Sequence, residues 1–454
     1  MKELDLTRGS VPKVLLKFAM PFLLANCLQA LYGGADLFVV GWFDDAASVS
    51  GVAVGSQVMQ TITGAILSLA SGATILIATA TGAKDHRKVA ETIGTSICFF
   101  GIVALAVTVA MVLLHEQVAL AMHTPVEAMR DTTNYILICS LGIPFIFGYN
   151  VVCGIMRGLG DSKSPLYFVG LACAINIVMD FVLVGGFGLR AAGAAAATVM
   201  SQGVSFLTAL WWLHRTGFSF EFRRSDIKIN GQLNFQIVKL GGPLALQDAL
   251  INVSFLLITV IVNGMGVVAS AALGVVEKII IFAMLPPFAI SSAVATMTAQ
   301  NYGAGILHRM TKCLVYGIAS SLAIGLAVCA YSQFWPETLT GLFTKDAAVI
   351  EMAAGYLRGY SIDCVLVAFV FNLNSFFIGQ GNSWFTMAHG LAATFLFRIP
   401  LSYLAGQLHP HDLVLMGYAI PLSTLVSVIA CFVFLHFNLK KLRVDFVHFR
   451  LHSA

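Results

Sequence analysis

Twelve long apolar runs dominate this sequence of 454 residues and leave few folds open to it. A helix needs about 20 apolar residues to cross the hydrocarbon core of a bilayer. Runs of about that length lie at 15–42, 50–79, 89–114, 132–156, 165–187, 191–213, 237–263, 269–298, 311–332, 351–378, 385–406 and 413–437. Only 11% of the residues are charged, whereas a soluble domain carries about a quarter. The sequence therefore predicts an all-α polytopic membrane protein with twelve transmembrane helices.

Basic residues are spread unevenly over the loops between these runs. If both termini and every second loop lie on one side, that side holds twenty Lys and Arg residues, and the other holds only Arg130, Arg190 and Lys345. Loops rich in Lys and Arg stay on the cytoplasmic side of a membrane. A missed or additional helix would scramble this asymmetry, so we expect an even number of spans and two cytoplasmic termini.

Three landmarks recur in the two halves of the sequence at nearly one spacing. A proline lies early in the first helix of each half, a Gly-Ala pair follows the second helix, and a Gly-x-Gly segment follows the fourth. The pairs are Pro21 with Pro243, Gly82-Ala83 with Gly303-Ala304, and 158–162 with 379–383, at separations of 222, 221 and 221 residues. This recurrence predicts two six-helix bundles related by a pseudo-two-fold repeat.

The longest polar connection, HRTGFSFEFRRSDIKINGQLN, joins the sixth and seventh runs and divides the chain. We therefore expect a first bundle at 1–213, a cytoplasmic linker at 214–236 and a second bundle at 237–454. Parallel repeats of this kind suit a transporter whose binding site is opened to either side by rocking of the halves.

The first run carries an aspartate, Asp36, at a depth where an ionisable group is costly and is a functional candidate by default. Tyr32 and Gln29 lie one and two helical turns before it, so the three side chains share a face. Pro21 removes a backbone hydrogen bond and is expected to bend this helix.

Oxygen-bearing side chains also recur in the fifth and sixth runs. Asn176 and Asp180 are four residues apart and share a face of a helix, and Thr198 and Gln202 lie on one strip of the next. With Asp36, these two carboxylates, amide and hydroxyl can bind a hard monovalent cation or hold protons in a pocket of low dielectric. The alternative is that each is a structural polar group whose hydrogen bonds are satisfied.

Further polar residues are weaker candidates. Gln57 and Asn150 fall where they can line a cavity of the first half, although helix packing explains Gln57 equally well. The charged candidates of the second half are Asp248, Glu277, Asp363 and Arg398. The last three of these either contribute to substrate binding or neutralise one another in pairs.

Several chemistries are excluded by what the sequence lacks. No GxxxxGK[ST] phosphate loop, HExxH or GxSxG motif is present, so neither ATP hydrolysis nor a familiar hydrolytic mechanism is expected. The net charge of +4 gives no reason to expect a nucleic-acid partner. We therefore predict a protein that is not an enzyme and has no cofactor, and whose surroundings are the lipid bilayer.

These residues together resemble the multidrug and toxic compound extrusion (MATE) family, in its prokaryotic DinF-like branch. The resemblance covers the whole chain, through the twelve helices, the two bundles and the repeated Gly-Ala and Gly-x-Gly elements. Its specific part matches the family's first helix at Pro21, Gln29, Tyr32 and Asp36, and its cation site at Asn176, Asp180 and Thr198.

The resemblance implies a V-shaped antiporter in the prokaryotic inner membrane that exports small organic, mostly cationic or amphipathic, compounds while H⁺ or Na⁺ enters. It further implies a chain that works as a monomer, with no metal beyond a possible Na⁺ at Asp36, Asn176, Asp180 and Thr198. Two alternatives keep a transporter fold, namely a lipid-linked oligosaccharide flippase and a major-facilitator carrier. A membrane-embedded enzyme is the alternative of another class.

Overall fold

Helices account for nearly all of the chain. The computed structural model describes residues 4–410 and 412–452, with side chains described as far as Leu442. Lys2, one of the twenty basic residues predicted to lie on the cytoplasmic side, is outside the described residues. The helices are α1 (Val11–Phe43), α2 (Ala46–Gly82), α3 (His86–Ala121), α4 (Met129–Leu141), α5 (Ile143–Gly158), α6 (Lys163–Asp180), α7 (Arg190–Thr216), α8 (Gly231–Asn263), α9 (Val267–Gly303), α10 (Leu307–Phe334), α11 (Pro336–Thr340), α12 (Ala347–Ser361), α13 (Asp363–Ile378), α14 (Ser383–Ala392), α15 (Ile399–Leu408) and α16 (Val414–His452). Two π-helical segments, Phe181–Gly186 and Ala393–Arg398, continue α6 and join α14 to α15.

Twelve membrane crossings are formed when one bent pair of helices is counted as a single span. In the described residues, eleven helical segments are long and apolar enough to cross a bilayer, and Val126–Leu141 with α5 makes a further span bent by 53°. The bend lies at Gly142, two residues before Pro144, whose missing N–H interrupts the helical hydrogen bonds. The predicted all-α polytopic fold is confirmed.

The turns after the second and fourth helices of each half have the same backbone geometry. Lys84 and Gly305, 221 residues apart, adopt left-handed φ angles of 56° and 70°, and Gly160 and Gly381 adopt 94° and 87°. The following amides bond back to the helix end in the same pattern, as in Asp161 N to Met156 O (2.8 Å) and Asn382 N to Phe377 O (2.9 Å). This helix-ending motif favours glycine, which explains why the Gly-x-Gly element recurs.

Contacts divide the chain into two units. The beginning of the first helix of each half belongs to the unit that contains most of the other half. Unit 1 comprises 1–5 and 20–245, and unit 2 comprises 6–19 and 246–454. The exchange points fall beside Pro21 of α1 and Pro243 of α8. These units group residues by their contacts, whereas the bundles at 1–213 and 237–454 were defined by runs of sequence, so the division into those two bundles stays a prediction.

Unit 1 is packed closely around α2, α4 and α7. Ala191, Ala194, Ala195 and Ala197 of α7 are fully buried, because short side chains let helix backbones approach one another. The predicted linker packs on α3 of the same unit. There the phenylalanines of 218–222 adjoin the core, and the Thr95 hydroxyl donates to the carbonyl of Lys228 at 3.3 Å.

The segment that unit 2 takes from the start of the chain is held by one arginine. Arg309 of α10 donates to the carbonyl oxygens of Gly9 (2.7 Å), Arg8 (3.1 Å) and Leu6 (3.3 Å). Asn301 Nδ2 donates to the same Leu6 oxygen at 3.2 Å. These bonds satisfy carbonyl groups that precede α1 and have no helical partners.

An ionic network ties three loops of unit 1 together around Arg190, at the start of α7. Its Nη2 lies 2.7 Å from Asp45 Oδ2 and 3.3 Å from Asp131 Oδ2, and its Nε lies 3.4 Å from Asp44 Oδ1. The Ser48 amide, and then the Arg190 guanidinium, hold the pKa of the Asp45 carboxyl below its usual range. The contribution of Asp45 to stability is therefore present at neutral pH and is lost only as acid protonates this carboxyl.

Replacing Arg190 with glutamine is expected to lower the apparent melting temperature of the purified protein by about 3–6 °C at pH 7. The side chains of Asp44 and Asp131, only 17% and 12% exposed, would lose the guanidinium that pairs with them. Arg130→Gln is the matched control, because Arg130 is exposed and makes no ion pair in the described part of the chain. Equal melting temperatures for the two variants would contradict a stabilising role for the network.

Candidate functional site

A cavity of about 400 Å³ opens inside unit 1, a size typical of small-molecule sites. Helices α1, α2, α4, α5, α6 and α7 surround it, and we call it the main cavity. Its lining residues are Gln29, Ala30, Tyr32, Gly33, Asp36, Ser56, Met59, Gln60, Thr63, Gly64, Leu67, Tyr135, Cys139, Ile146, Tyr149, Asn150, Val169, Ala172, Cys173, Thr198 and Gln202. Its wall is largely apolar, with polar groups at a few points.

Asp36 is the acidic residue of this wall, and the predicted cation-site residues gather around it. Asp36 is 4% exposed, and its Oδ2 accepts a hydrogen bond from Thr198 Oγ1 at 3.1 Å. The side chains of Asn176 and Asp180 interact with the Asp36 carboxyl. Both are fully buried behind it and do not line the main cavity. The four residues therefore form one cluster, of which Asp36 and Thr198 face the open space.

Apart from the bond between Thr198 and Asp36 Oδ2, the polar atoms at the centre of this cluster form no hydrogen bond of good geometry. Asp36 Oδ1, both carboxylate oxygens of Asp180 and both polar atoms of the Asn176 amide are buried without a hydrogen bond. No lysine or arginine pairs with either acid in the part of the chain that the structure describes. Buried carboxylates without a counter-charge are strongly unfavourable, so the arrangement requires a proton or a bound cation to neutralise it.

The other predicted cavity residues are placed unevenly. Gln29, Tyr32, Asn150 and Gln202 line the main cavity, as expected from their positions on the helices. Gln57 is exposed and lies outside this cavity, because the face of α2 that lines it carries Ser56 and Gln60 instead. Pro21 lies within α1 and before the segment that enters the cavity.

Several lining residues were not singled out from the sequence. Gln60 and Thr63 of α2 lie at a spacing of three and Tyr135 and Cys139 of α4 at a spacing of four, which places each pair on one helical face. Tyrosine and cysteine in apolar helices are ordinary packing residues. The spacing of Gln60 and Thr63 on α2 was the one available signal, but Gln57 is the residue of this helix predicted from the sequence.

The charged candidates of the second half lie in unit 2. Asp363 and Arg398 are buried, at 5% and 9% exposure, whereas Glu277 is half-buried and Asp248 is exposed. The Arg398 guanidinium carbon lies 4.1 Å from the centre of the Phe255 ring. Its charge is felt by Glu277 and Asp363, but the described residues form no ion pair closer than 4.0 Å between them.

Comparison with known proteins locates the family pattern in both halves. The family model MatE matches residues 21–182 and again 243–404, which is well over half of the chain. The two matches begin 222 residues apart, which is the separation of Pro21 and Pro243.

Curated relatives extend along most of the chain. "Probable multidrug resistance protein YpnP" of Bacillus subtilis is 27% identical over 89% of this chain and 90% of its own. "Multidrug export protein MepA" of Staphylococcus aureus is 25% identical over 84% of this chain and 85% of its own.

Solved structures share the fold. One, described as the outward-facing conformation of a multidrug resistance MATE family transporter of the MOP superfamily, has a TM-score of 0.90, is 22% identical and covers 97% of this chain and 99% of its own. Another, of a MOP superfamily transporter from Pyrococcus furiosus, has a TM-score of 0.91 at 21% identity over 98% and 99% of the two chains. On the family match in both repeats, this chain belongs to the multidrug and toxic compound extrusion (MATE) family, whose members are multi-pass membrane transporters and not enzymes.

Proposed function

We propose that this protein is an antiporter of the prokaryotic inner membrane that exports small organic compounds, cationic or amphipathic, in exchange for entering H⁺ or Na⁺. The chain works as a monomer with both termini in the cytoplasm and needs no cofactor other than the coupling ion. The observation that carries the proposal is the pair of buried acids, Asp36 and Asp180, with no counter-charge beside the main cavity.

In this mechanism, Asp36 and Asp180 alternate between a charged and a neutralised state. The charged pair attracts a cationic compound into the main cavity, whose apolar wall accommodates its hydrocarbon part. A proton or Na⁺ arriving from outside neutralises the carboxylates, with Asn176 and Thr198 supplying further oxygen atoms. The compound then loses its electrostatic attraction and is released outward.

Energetically, ion and compound weaken each other's binding by one common factor, because coupling between two sites is reciprocal. Asp36 is placed to transmit this coupling, since it contacts the buried oxygen cluster and also lines the cavity. We assign a bend of α1 at Pro21 as the step that follows neutralisation. The relatives named as multidrug proteins support the class of cargo.

Transport of a fluorescent organic cation into inside-out proteoliposomes tests the proposal. We expect uptake when a pH or a Na⁺ gradient is imposed, and no uptake when the same gradient is collapsed with an ionophore. Applying the two gradients separately identifies the coupling ion. Uptake that is indifferent to both gradients would contradict antiport, and no uptake under any condition would contradict export of organic cations.

A further inference from the structure

A second and smaller chamber adjoins the main cavity within unit 1. It measures about 30 Å³ and shares four lining residues with the main cavity, namely Gln29, Tyr149, Asn150 and Val169. The rest of its wall is formed by Phe22, Ala25, Asn26, Cys153, Arg157, Ser162 and Pro165. We call it the arginine chamber, because Arg157 is the one charged residue among those that line it.

Arg157, near the end of α5, carries a charge that the protein does not neutralise locally. Its guanidinium carbon lies 5.4 Å from the centre of the Phe22 ring, and within the described residues it forms no ion pair or hydrogen bond. The nearest acid along the chain, Asp161, forms its hydrogen bonds with other groups. Asp161 Oδ1 accepts from the amides of Lys163 and Ser164, both at 3.0 Å, and Oδ2 accepts from the Ser164 hydroxyl at 2.6 Å.

Two further polar groups of this wall have no oxygen or nitrogen partner. The Tyr149 side chain is 2% exposed, and its buried hydroxyl interacts with the Cys153 thiol. The Nδ2 atom of Asn26 is buried without a hydrogen bond. A buried donor without an acceptor is unfavourable. The chamber therefore presents a guanidinium, an amide donor and a phenolic hydroxyl to whatever occupies it.

The occupant that fits these groups is a carboxylate. Arginine binds a carboxylate through two parallel N–H donors, and the amide and hydroxyl add donors to its oxygens. A water molecule needs about 10–15 Å³ of such space, so the chamber has room for two waters or for one carboxylate group. The shared wall at Gln29, Tyr149 and Asn150 allows a compound in the main cavity to extend an acidic group into it.

We propose that the arginine chamber is a subsite for the carboxylate of transported compounds, so that unit 1 takes zwitterions in addition to simple cations. The inference rests on the proposed function and adds a second pole to its binding site. Carboxylates at Asp36 and Asp180 attract the cationic end of a compound, and the Arg157 guanidinium at the other end attracts its acidic group. Specificity then depends on charge distribution within the compound rather than on its net charge.

Two dyes that differ by one ester provide the test. Rhodamine 123 is a cation whose carboxyl group is a methyl ester, and rhodamine 110 is the zwitterion with that carboxyl free. Fluorescence anisotropy with the purified full chain gives both affinities. Arg157→Gln is expected to weaken rhodamine 110 binding by at least about tenfold, since it removes a charge-assisted bond, and to leave rhodamine 123 binding within about twofold.

Companion variants separate recognition from structure. Arg157→Lys keeps the charge and is expected to retain part of the preference for rhodamine 110. Asn26→Ala removes one amide donor of the arginine chamber that does not line the main cavity, and it is expected to weaken that dye alone by about threefold, in line with one hydrogen bond. If Arg157→Gln does not fold, Asn26→Ala decides the question by the same ratio of affinities.

The outcomes also distinguish this inference from the proposed function. Gradient-driven uptake of rhodamine 123 with a ratio of affinities that Arg157→Gln and Asn26→Ala leave unchanged would overturn the carboxylate subsite and keep the antiporter. Equal losses for both dyes would likewise overturn the subsite, because Arg157 would then support the cavity as a whole. Failure to take up rhodamine 123 under any gradient would count against the antiporter itself.

Discussion

Asp36→Asn is expected to reduce gradient-driven export of an organic cation by at least about tenfold, the scale of a typical coupling between two sites. The asparagine keeps the size of the side chain and its bond with Thr198 Oγ1, but it can neither carry a charge nor take up a proton. The coupling ion then has no means of changing the affinity for the compound. The measurement is dye uptake into proteoliposomes under the gradient that drives the wild-type protein.

Asp180→Asn is expected to act in the same way, although Asp180 does not touch the main cavity. The Asp180 carboxyl is fully buried and interacts electrostatically with the Asp36 carboxyl. The charge state of Asp180 therefore affects how readily Asp36 is neutralised. For the same reason, the double variant should lose little more activity than either single one. Removal of only one oxygen ligand, as in Thr198→Val, should have a smaller effect.

Binding measurements make this prediction sharper than transport alone. Wild-type protein should bind the cationic dye less tightly as H⁺ or Na⁺ is raised, and Asp36→Asn should bind it weakly and without that dependence. Glu116→Gln is a suitable control, since Glu116 is an exposed acid of α3 and has no ion pair in the described residues. A variant at Asp36 that exports at the wild-type, gradient-dependent rate would refute the assignment.

The all-α fold and the shared face of Asn176 and Asp180 could be predicted from the sequence because both depend on local spacing. Asn176 and Asp180 had to share a helical face, and the repeated Gly-x-Gly segment had to end two helices alike. Contacts between helices were harder to predict from the sequence. The sequence did not reveal that Gln60, and not Gln57, would line the cavity, since the rotation of a helix about its own axis is set by the helices around it.

Residues that matter through burial could not be recognised from their type. From the sequence alone, Tyr149 is one of many aromatic side chains, and Arg157 is one of the basic residues that indicate the orientation of the protein in the membrane. We propose a role for them because both line one small chamber and the Tyr149 hydroxyl has no oxygen or nitrogen partner there, and these are properties of the folded chain. In both pockets, unpaired polar atoms rather than sequence motifs mark where a ligand is to be expected.

The first part of α8 packs against α2 within unit 1. The sequence pattern did not reveal this contact, which depends on two glycines. A Cβ atom added at Gly241 would overlap the carbonyl oxygen of Leu69 in α2, and one added at Gly72 would lie 2.5 Å from the carbonyl oxygen of Ile237. The two helices therefore meet backbone to backbone, a contact that only glycine permits.

Gly241→Val is accordingly expected to destabilise the protein severely, because the obstructing atoms are backbone and cannot rotate away. Overpacking of a closed interface costs about 1–3 kcal/mol or more, which corresponds to a fall of about 2–12 °C in apparent melting temperature for a unit of this size. The measurements are thermal unfolding and size-exclusion chromatography in detergent. Gly101→Val is the matched control, since a Cβ at Gly101 of α3 meets no atom within 4 Å. Should Gly241→Val melt with the control and elute as a single sharp peak, α8 would not require the close contact with α2, and its first half could leave unit 1 without loss of the fold.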